Sequence, residues 1–301
     1  MATKKAKAPA LQLKDYKTNT FKDGDMEIRF AVGPEETKQF DTQKLIDNFL
    51  VKNLMVNDQL KLVYTHYDRV IIGGAVPVNK TLTLPNHPEL RADYFLERRE
   101  MGIINVGGKG TVTADGKKFD LEKLSCLYLG KGTKKVSFAS ASKKSPAIFY
   151  ILSSPAHAVY PATVFTKEQA SPVELGAPET ANKRTVYKYI HLDGIKSCQL
   201  VMGLTTLAPG SVWNSIPPHT HTRRMEVYFY FDLPAEHRMF HFMGNPVETR
   251  HLVMANNEAV ISPPWSTHYG CGTTNYGFIW GMAGENLVYS DMDPAPVVTL
   301  K

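Results

Sequence analysis

The stretch PPHTHTRRMEVYFYF, residues 217–231, contains two histidines two positions apart, a glutamate five positions after the second, and then an aromatic run. On a β-strand, residues two apart share a face, so His219 and His221 are predicted to point to the same side. Glu226 lies an odd number of positions after His221 and can join them only if the chain bends, which we expect at residues 223–224. Imidazole nitrogen and carboxylate oxygen suit zinc, iron, manganese, nickel or cobalt.

A fourth ligand is expected from a distant strand, and His268 in SPPWSTHYG, residues 262–270, is the best candidate. It follows an apolar strand across a proline-stiffened turn, which in a barrel can return a side chain to the interior. A lone His-x-His is a weak signal, whereas the full set is specific. We therefore predict that His219, His221, Glu226 and His268 bind one divalent metal ion, and that His241 and His251 are not ligands.

Short apolar runs with frequent glycine and proline punctuation predict an all-β protein. A first set of candidate strands covers residues 69–73, 102–106, 110–113, 124–129, 135–139 and 147–152. A second set covers residues 185–190, 198–204, 225–231, 239–243, 259–262 and 276–282. Asp115-Gly116 indicates a hairpin turn. Residues 41–52 are predicted to form a short helix, with Asp41 as its N-cap.

The segment 154–182, rich in proline, alanine and serine, separates the two sets and is predicted to be a linker or an extended crossover. Residues 110–152 and 243–282 follow the same plan of hairpin, apolar strand, loop and aromatic strand, which indicates duplication. We divide the chain into a disordered tail, residues 1–20, an N-terminal domain, residues 21–178, and a C-terminal metal-binding domain, residues 179–301.

The first domain lacks the metal pattern. Counting from Cys126 against Ala259 places Lys135 opposite His268, and no histidine pair occurs in LERRE, residues 96–100. This domain is therefore predicted to bind no metal. The charged residues at positions 97–100 are expected to form ion pairs or to contribute to an interface.

Charge is concentrated at the N-terminus, where residues 1–20 hold five lysines and one aspartate, a net charge of +4 out of +6 for the chain. A solvated tail is the simplest interpretation. A nucleic-acid-binding arm is the alternative, but no basic stripe with interleaved aromatic residues supports it. No apolar run approaches the roughly 18 residues of a membrane span. Three widely spaced cysteines predict reduced thiols, and we expect a cytoplasmic protein that binds neither nucleic acid nor membrane.

The ligand pattern resembles the cupin superfamily, whose first motif has His-x-His, a short spacer and Glu, and whose second motif supplies a later His. A narrower resemblance is to the 5-keto-4-deoxyuronate isomerase family, carried by residues 94–108, 207–214, 219–231 and 278–286. It covers the chain from about Met26 onward. It implies a bicupin of two double-stranded β-helix (jelly-roll-like) barrels with few short helices, one zinc ion, a homohexamer, and a small deoxy-uronate substrate from pectin breakdown.

The resemblance implies a ketol-isomerase that interconverts 5-keto-4-deoxyuronate and 3-deoxy-D-glycero-2,5-hexodiulosonate. A Lewis acid would polarise the carbonyl, and a base would move the proton between adjacent carbons. Tyr228 shares the face of Glu226 and is a candidate catalytic residue. Arg224 is a candidate for the uronate carboxylate through bidentate hydrogen bonds. Two alternatives remain open: a metal-dependent oxygenase or oxidase, and a non-catalytic uronate-binding bicupin.

Overall fold

β-Strands form nearly all the regular structure of this protein, in a computed structural model that describes residues 19–23 and 25–301. The tail predicted at residues 1–20 lies outside the described residues except for its last two. Two α-helices are present in the described part, α1 (Pro34–Thr37) and α2 (Thr42–Phe49), with four single-turn 3-10 helices. These are Pro88–Leu90, Lys167–Gln169, Pro178–Thr180 and Val297–Thr299. The prediction of an all-β fold with few short helices is confirmed.

The strands fall into two sets along the chain. The first set is β1 (Thr20–Asp23), β2 (Met26–Arg29), β3 (Leu50–Val51), β4 (Leu60–Thr65), β5 (Ile71–Ala75), β6 (Leu82–Thr83), β7 (Arg99–Asn105), β8 (Gly110–Ala114), β9 (Lys117–Leu121), β10 (Cys126–Leu129), β11 (Val136–Ser140), β12 (Phe149–Pro155) and β13 (Thr163–Phe165). The second set is β14 (Val173–Leu175), β15 (Arg184–Ile190), β16 (Val201–Leu207), β17 (Trp213–Asn214), β18 (His219–Thr220), β19 (Arg224–Phe231), β20 (Met239–Asn245), β21 (Glu248–Met254), β22 (Ala259–Ser262), β23 (Thr267–Gly272), β24 (Gly277–Gly284) and β25 (Asp293–Pro294).

Each half of the chain builds one large sheet and one four-stranded sheet, which together make a barrel. The first barrel has the orders β1-β2-β4-β5-β12-β7-β10-β13 and β6-β11-β8-β9. The second has β14-β15-β16-β24-β19-β22-β3 and β17-β23-β20-β21. The central strands match one for one, so the two-barrel fold and the internal repeat are both present.

The first half of the chain contributes a short strand to the second barrel. β3 pairs with β22 of the second barrel, and α2 packs on β21 and β22. β13, which follows the last central strand of the first barrel, pairs with β10 and extends the large sheet of that barrel. The segment predicted as a linker is thus partly built into both large sheets, through β13 and β14. The predicted domain boundary between residues 178 and 179 stays a prediction.

Local signals in the sequence match the structure closely. Asp41 caps α2, because its carboxylate accepts a hydrogen bond from the Lys44 main-chain N–H at 2.8 Å. The helix ends at Phe49, three residues before the predicted end, because the chain turns into β3. Asp115 and Gly116 have φ values of +48° and +85°, the left-handed pair of a two-residue hairpin turn between β8 and β9.

The large sheets of the two barrels pack face to face. Tyr150 on β12 stacks on Phe229 of β19 with ring centroids 4.7 Å apart. Gly281 on β24 lies so close to Leu152 that a Cβ at this position would overlap the leucine side chain. One apolar core therefore runs across the interface and into the second barrel, while a separate core fills the first barrel.

A buried carboxylate joins the barrels at the edge of this interface. Glu100 on β7 is completely buried and accepts hydrogen bonds from the hydroxyls of Tyr128 (2.8 Å) and Ser154 (3.1 Å). It also accepts three main-chain N–H bonds of 2.7–2.9 Å from residues 198–200, which precede β16. Residues 97–100 form no ion pair with any residue that the structure describes, so that part of the expectation is wrong; their partners are hydroxyl and main-chain groups.

Candidate metal centre and its cavity

β19 presents one ligand to the inside of the second barrel. It lies between β22 and β24, with Glu226 opposite Ser262 on one side and Met282 on the other. Alternate residues of β19 therefore face the interior of the second barrel and its interface with the first barrel. Glu226 and Tyr228 face the barrel interior, while Phe229 faces the first barrel.

The two histidines of the His-x-His motif enter from a short strand and the turn that follows it. His219 lies on β18, which pairs with β25 near the C-terminus, opposite Pro294. His221 begins a turn that is closed by the Arg224 main-chain N–H donating to the His221 carbonyl at 2.9 Å. The bend that the sequence required between His221 and Glu226 is thus present. The imidazole centroids of His219 and His221 lie 4.7 Å apart.

His268 reaches the same point from the opposite sheet. It lies on β23, paired with Met243 of β20. The preceding turn is closed by the Ser266 main-chain N–H, which donates to the Pro263 carbonyl at 2.9 Å. The proline-stiffened turn therefore returns this side chain to the barrel interior, as predicted.

One ligand atom from each of the four residues lies within 4.8 Å of every other. Glu226 Oε2 is 3.0 Å from His221 Nε2 and 2.7 Å from His268 Nε2, and the His219 and His268 Nε2 atoms are 3.1 Å apart. Three of the four residues are fully buried, and His219 is partly buried. This set of nitrogen and oxygen atoms can hold a metal ion.

Contacts behind the imidazoles fix which ring nitrogen faces the centre. His221 Nδ1 lies 2.6 Å from the Asp291 carbonyl, and His268 Nδ1 lies 3.3 Å from the Ser266 carbonyl. If each Nδ1–H donates to its carbonyl, each Nε2 lone pair points at Glu226. Glu226 Oε2 then has no hydrogen between itself and these nitrogens, consistent with its being a buried atom without a hydrogen-bond partner. A cation at the centre would relieve the repulsion between these lone pairs.

The protonation states suit metal binding. Burial, reinforced by the neighbouring His268 and His221, lowers the pKa of His219 to about 3, so its ring is neutral at pH 7. Burial alone would raise the pKa of Glu226, but His268 and His221 outweigh it and hold that pKa well below its ordinary value. The carboxylate is therefore ionised. Neutral imidazole and ionised carboxylate are the forms that bind metals.

The neighbouring histidines lie elsewhere. His241 is fully buried, but its Nδ1 pairs with the Tyr230 hydroxyl at 2.8 Å and it is not a member of the cluster. His251 is exposed on β21. Their exclusion from the predicted ligand set agrees with this geometry.

The cluster opens into a cavity of about 480 Å³ inside the second barrel. Tyr228 lines it, and its hydroxyl is 2.7 Å from Ser215 Oγ. Burial and the nearby Glu226 raise the pKa of Tyr228 well above its ordinary value, so the phenol is neutral and can donate a proton. Aromatic walls come from Phe278, Trp280 and Tyr289.

The arginine that lines the cavity is not the one predicted from the sequence. Arg224 is fully buried and donates to the carbonyls of Val288 (2.6 Å) and Asp291 (2.9 Å), so it holds the C-terminal segment behind His221 and does not line the cavity. Arg184, at the start of β15, does line it. Arg184 could not be recognised from the sequence, because a cation where a strand begins is typical of a solvated strand end.

The equivalent place in the first barrel is apolar. The β8–β9 and β20–β21 hairpins both have two-residue turns, so Val112 on β8 corresponds to Met243 on β20. Met243 pairs with His268, and Val112 pairs with Phe138. Phe138 therefore stands where His268 stands. The prediction of Lys135 at this place is wrong by three residues, because counting from the preceding strand ignores the longer loop in the first barrel.

The same register assigns a counterpart to the glutamate. Met101 pairs with Leu129 of β10 as Glu226 pairs with Ser262 of β22. Met101 and Phe138 are both completely buried in the core of the first barrel. Side chains without ligand atoms of the usual kinds thus fill the positions of Glu226 and His268.

Sequence comparisons find relatives over most of the chain. A sequence profile of the KduI/IolB family matches residues 49–296. A protein of Formosa agariphila named 4-deoxy-L-threo-5-hexosulose-uronate ketol-isomerase is 54% identical over 91% of this chain and 98% of its own length. A protein of the same name from Caldicellulosiruptor bescii is 52% identical over 92% of this chain and 100% of its own.

Solved structures share the fold at low identity. An IolB-like protein from Salmonella typhimurium LT2 has a TM-score of 0.61 at 16% identity, over 80% of this chain and 95% of its own. The Lactobacillus farciminis oxalate decarboxylase has a TM-score of 0.53 at 12% identity, over 77% of this chain and 82% of its own. No helix among the described residues is long and apolar enough to cross a membrane.

Proposed function

The chain belongs to the KduI/IolB family, and from that premise we propose that it is a metal-dependent ketol-isomerase. Its substrate would be 4-deoxy-L-threo-5-hexosulose uronate, which is 5-keto-4-deoxyuronate, and its product 3-deoxy-D-glycero-2,5-hexodiulosonate. The observation that carries the proposal is the His₃Glu cluster at the wall of a cavity large enough for a six-carbon acid. The reaction turns an aldehyde into a primary alcohol and the adjacent secondary alcohol into a ketone, without net oxidation.

We propose His219, His221, Glu226 and His268 as ligands of one metal ion, with zinc favoured by the nitrogen-rich donor set. When bound, the ion supplies a Lewis acid that stabilises the negative charge developing on the carbonyl oxygen. The apolar residues at the equivalent place in the first barrel support one metal per chain.

The side chains around the cluster have separate tasks in this proposal. Tyr228, neutral and close to Ser215, donates a hydrogen bond or a proton to a substrate oxygen. Glu226 balances the charge of the metal ion. Phe278 and Trp280 exclude water from the reacting carbons. Arg224 is a positioning residue rather than a substrate ligand, because its guanidinium is held behind His221.

The wider setting is also proposed. The relatives' shared name supports a free sugar acid as the substrate, and the resemblance supports a homohexamer that acts in pectin breakdown. A cytoplasmic location stays a prediction from the sequence. Sedimentation analysis of the purified protein would measure the oligomer.

The test is isomerisation followed by NMR. Metal-replete protein is mixed with freshly made unsaturated-uronate product, and the 2,5-diketo isomer is expected to accumulate without oxygen or a nicotinamide. In the same assay Tyr228→Phe should lower turnover about 100-fold with metal content unchanged. Tyr187→Phe, on the same sheet but outside the cavity lining, should stay near wild type. No isomer from fully metallated protein, or turnover that requires oxygen, would refute the function.

A further inference from the structure

Arg184 is the only arginine or lysine among the described residues that line the cavity. Glu226 is the only carboxylate among them, and it belongs to the metal cluster. The cavity therefore has a negative ligand at the metal cluster and a permanent positive charge at another point of its wall.

Among the described residues, the Arg184 guanidinium forms no ion pair. One of its N–H groups donates to the Asn182 carbonyl at 2.9 Å, which anchors its orientation. Within the described part of the chain, no carboxylate oxygen lies within the 4.0 Å of an ion pair. Burial lowers the pKa of Arg184, while Tyr289 and Tyr228 act in the opposite direction. A partly desolvated cation with free donors favours an anion that can accept two hydrogen bonds.

Sheet order places this cation away from the metal cluster. From Glu226 on β19 the order runs through β24 and β16 to β15, which starts with Arg184. Three strand spacings of about 4.8 Å separate the two strands by roughly 14 Å across the sheet. Arg184 is also displaced along the strands, because Glu226 aligns with Met282 and Val201 whereas Arg184 pairs with Leu207, and these six residues add roughly 20 Å in that direction. Both side chains extend into the cavity, and Tyr228 interacts electrostatically with both. Arg184 and the metal cluster therefore lie at separate points on the wall of one cavity, an arrangement that suits an elongated molecule with different chemistry at its two ends.

We propose that Arg184 binds the carboxylate of the substrate and thereby directs the opposite, aldehyde end to the His₃Glu cluster. This inference rests on the proposed function, because the substrate named there is a 2-oxo acid with its aldehyde at the far end. Arg184 is then the specificity-determining residue that selects a sugar acid over a neutral sugar. The substrate carboxylate keeps its charge throughout the reaction, so Arg184 binds the substrate and the transition state about equally and contributes mainly to binding.

Kinetics and binding test this role together. Arg184→Met should raise KM for the uronate roughly 10- to 100-fold and change kcat much less. Arg184→Lys keeps the charge but loses the planar pair of donors, so its KM should lie between those of Arg184→Met and the wild type. Lys183→Met removes a neighbouring exposed cation outside the cavity lining, and should leave KM unchanged.

A second arm uses 2-oxohexanoate, which carries the carboxylate end without the aldehyde, and its neutral amide. Wild-type protein should bind the acid more tightly than the amide by ligand-observed NMR, and Arg184→Met should abolish the difference. If wild type binds both equally, or Arg184→Met keeps both KM and the preference for the acid, the inference is overturned. Wild-type protein that binds the acid through Arg184 yet isomerises no uronate would refute the proposed function and leave this inference standing.

Discussion

Single histidines of this chain differ in what surrounds their ring nitrogens. His219, His221 and His268 direct a ring nitrogen toward Glu226 or one another at 2.7–3.1 Å. His251 is exposed on an outer strand of the small sheet. The ring environment, rather than proximity in the sequence, therefore distinguishes a ligand from a neighbour.

Removing a ligand should remove the metal. We expect about one metal ion per wild-type chain, and at least 10- to 100-fold weaker binding in His219→Ala and in His268→Ala, since losing even an outer-shell contact costs that much. Elemental analysis after dialysis measures the content. His251→Ala is the control and should keep its metal. Equal loss in all three variants, or two tightly held ions in wild type, would contradict the assignment.

At the scale of elements, the two barrels are joined by strand β3, which pairs in the second barrel, and by one buried carboxylate. Glu100 on β7 accepts the main-chain N–H groups of residues 198–200, which otherwise would be left without partners before β16 begins. Bonds to an ionised acceptor are stronger than neutral ones. The contact therefore fixes where the second barrel starts relative to the first.

Glu100→Gln should destabilise the protein by about 2–3 kcal/mol, because the amide nitrogen would face donors and leave at least one of them unsatisfied. Urea unfolding followed by circular dichroism measures the change. Glu122→Gln is the control: among the described residues this exposed carboxylate pairs with Lys109 alone, at the surface, so its loss should change stability little. A Glu100→Gln variant as stable as wild type would show that the N–H groups find other partners.

For the whole molecule, the shared core predicts cooperative unfolding. All three tryptophans, Trp213, Trp265 and Trp280, lie in the second barrel, whereas strands of both barrels contribute to far-ultraviolet circular dichroism. Because the large sheets pack on each other and β3 from the first half of the chain pairs in the sheet of the second barrel, neither barrel should unfold alone. Tryptophan fluorescence and circular dichroism should therefore report the same urea midpoint in metal-loaded protein. Two separate midpoints would show that the barrels are independent.

Much of the site could be predicted from the sequence because its signals are local. The ligand types, the two-residue spacing of His219 and His221, and the bend before Glu226 follow from strand geometry and coordination chemistry. The cap at Asp41 and the turn at Asp115-Gly116 depend on a few adjacent residues. Such features need no knowledge of what packs against them.

Only the tertiary structure decided which distant residues pair and which side chains share the cavity, because both depend on strand order. Pairing between β3 and β22 joins residues more than 200 positions apart, and no local pattern encodes it. Phe138 replaced Lys135 as the counterpart of His268 only once the ladder register was known. Strand order and register likewise show that Arg184 lines the cavity, whereas Arg224, the arginine predicted to do so, is buried outside it. The sequence by itself determined which groups could bind a metal, and sheet curvature and register determined which side chains share the cavity with them.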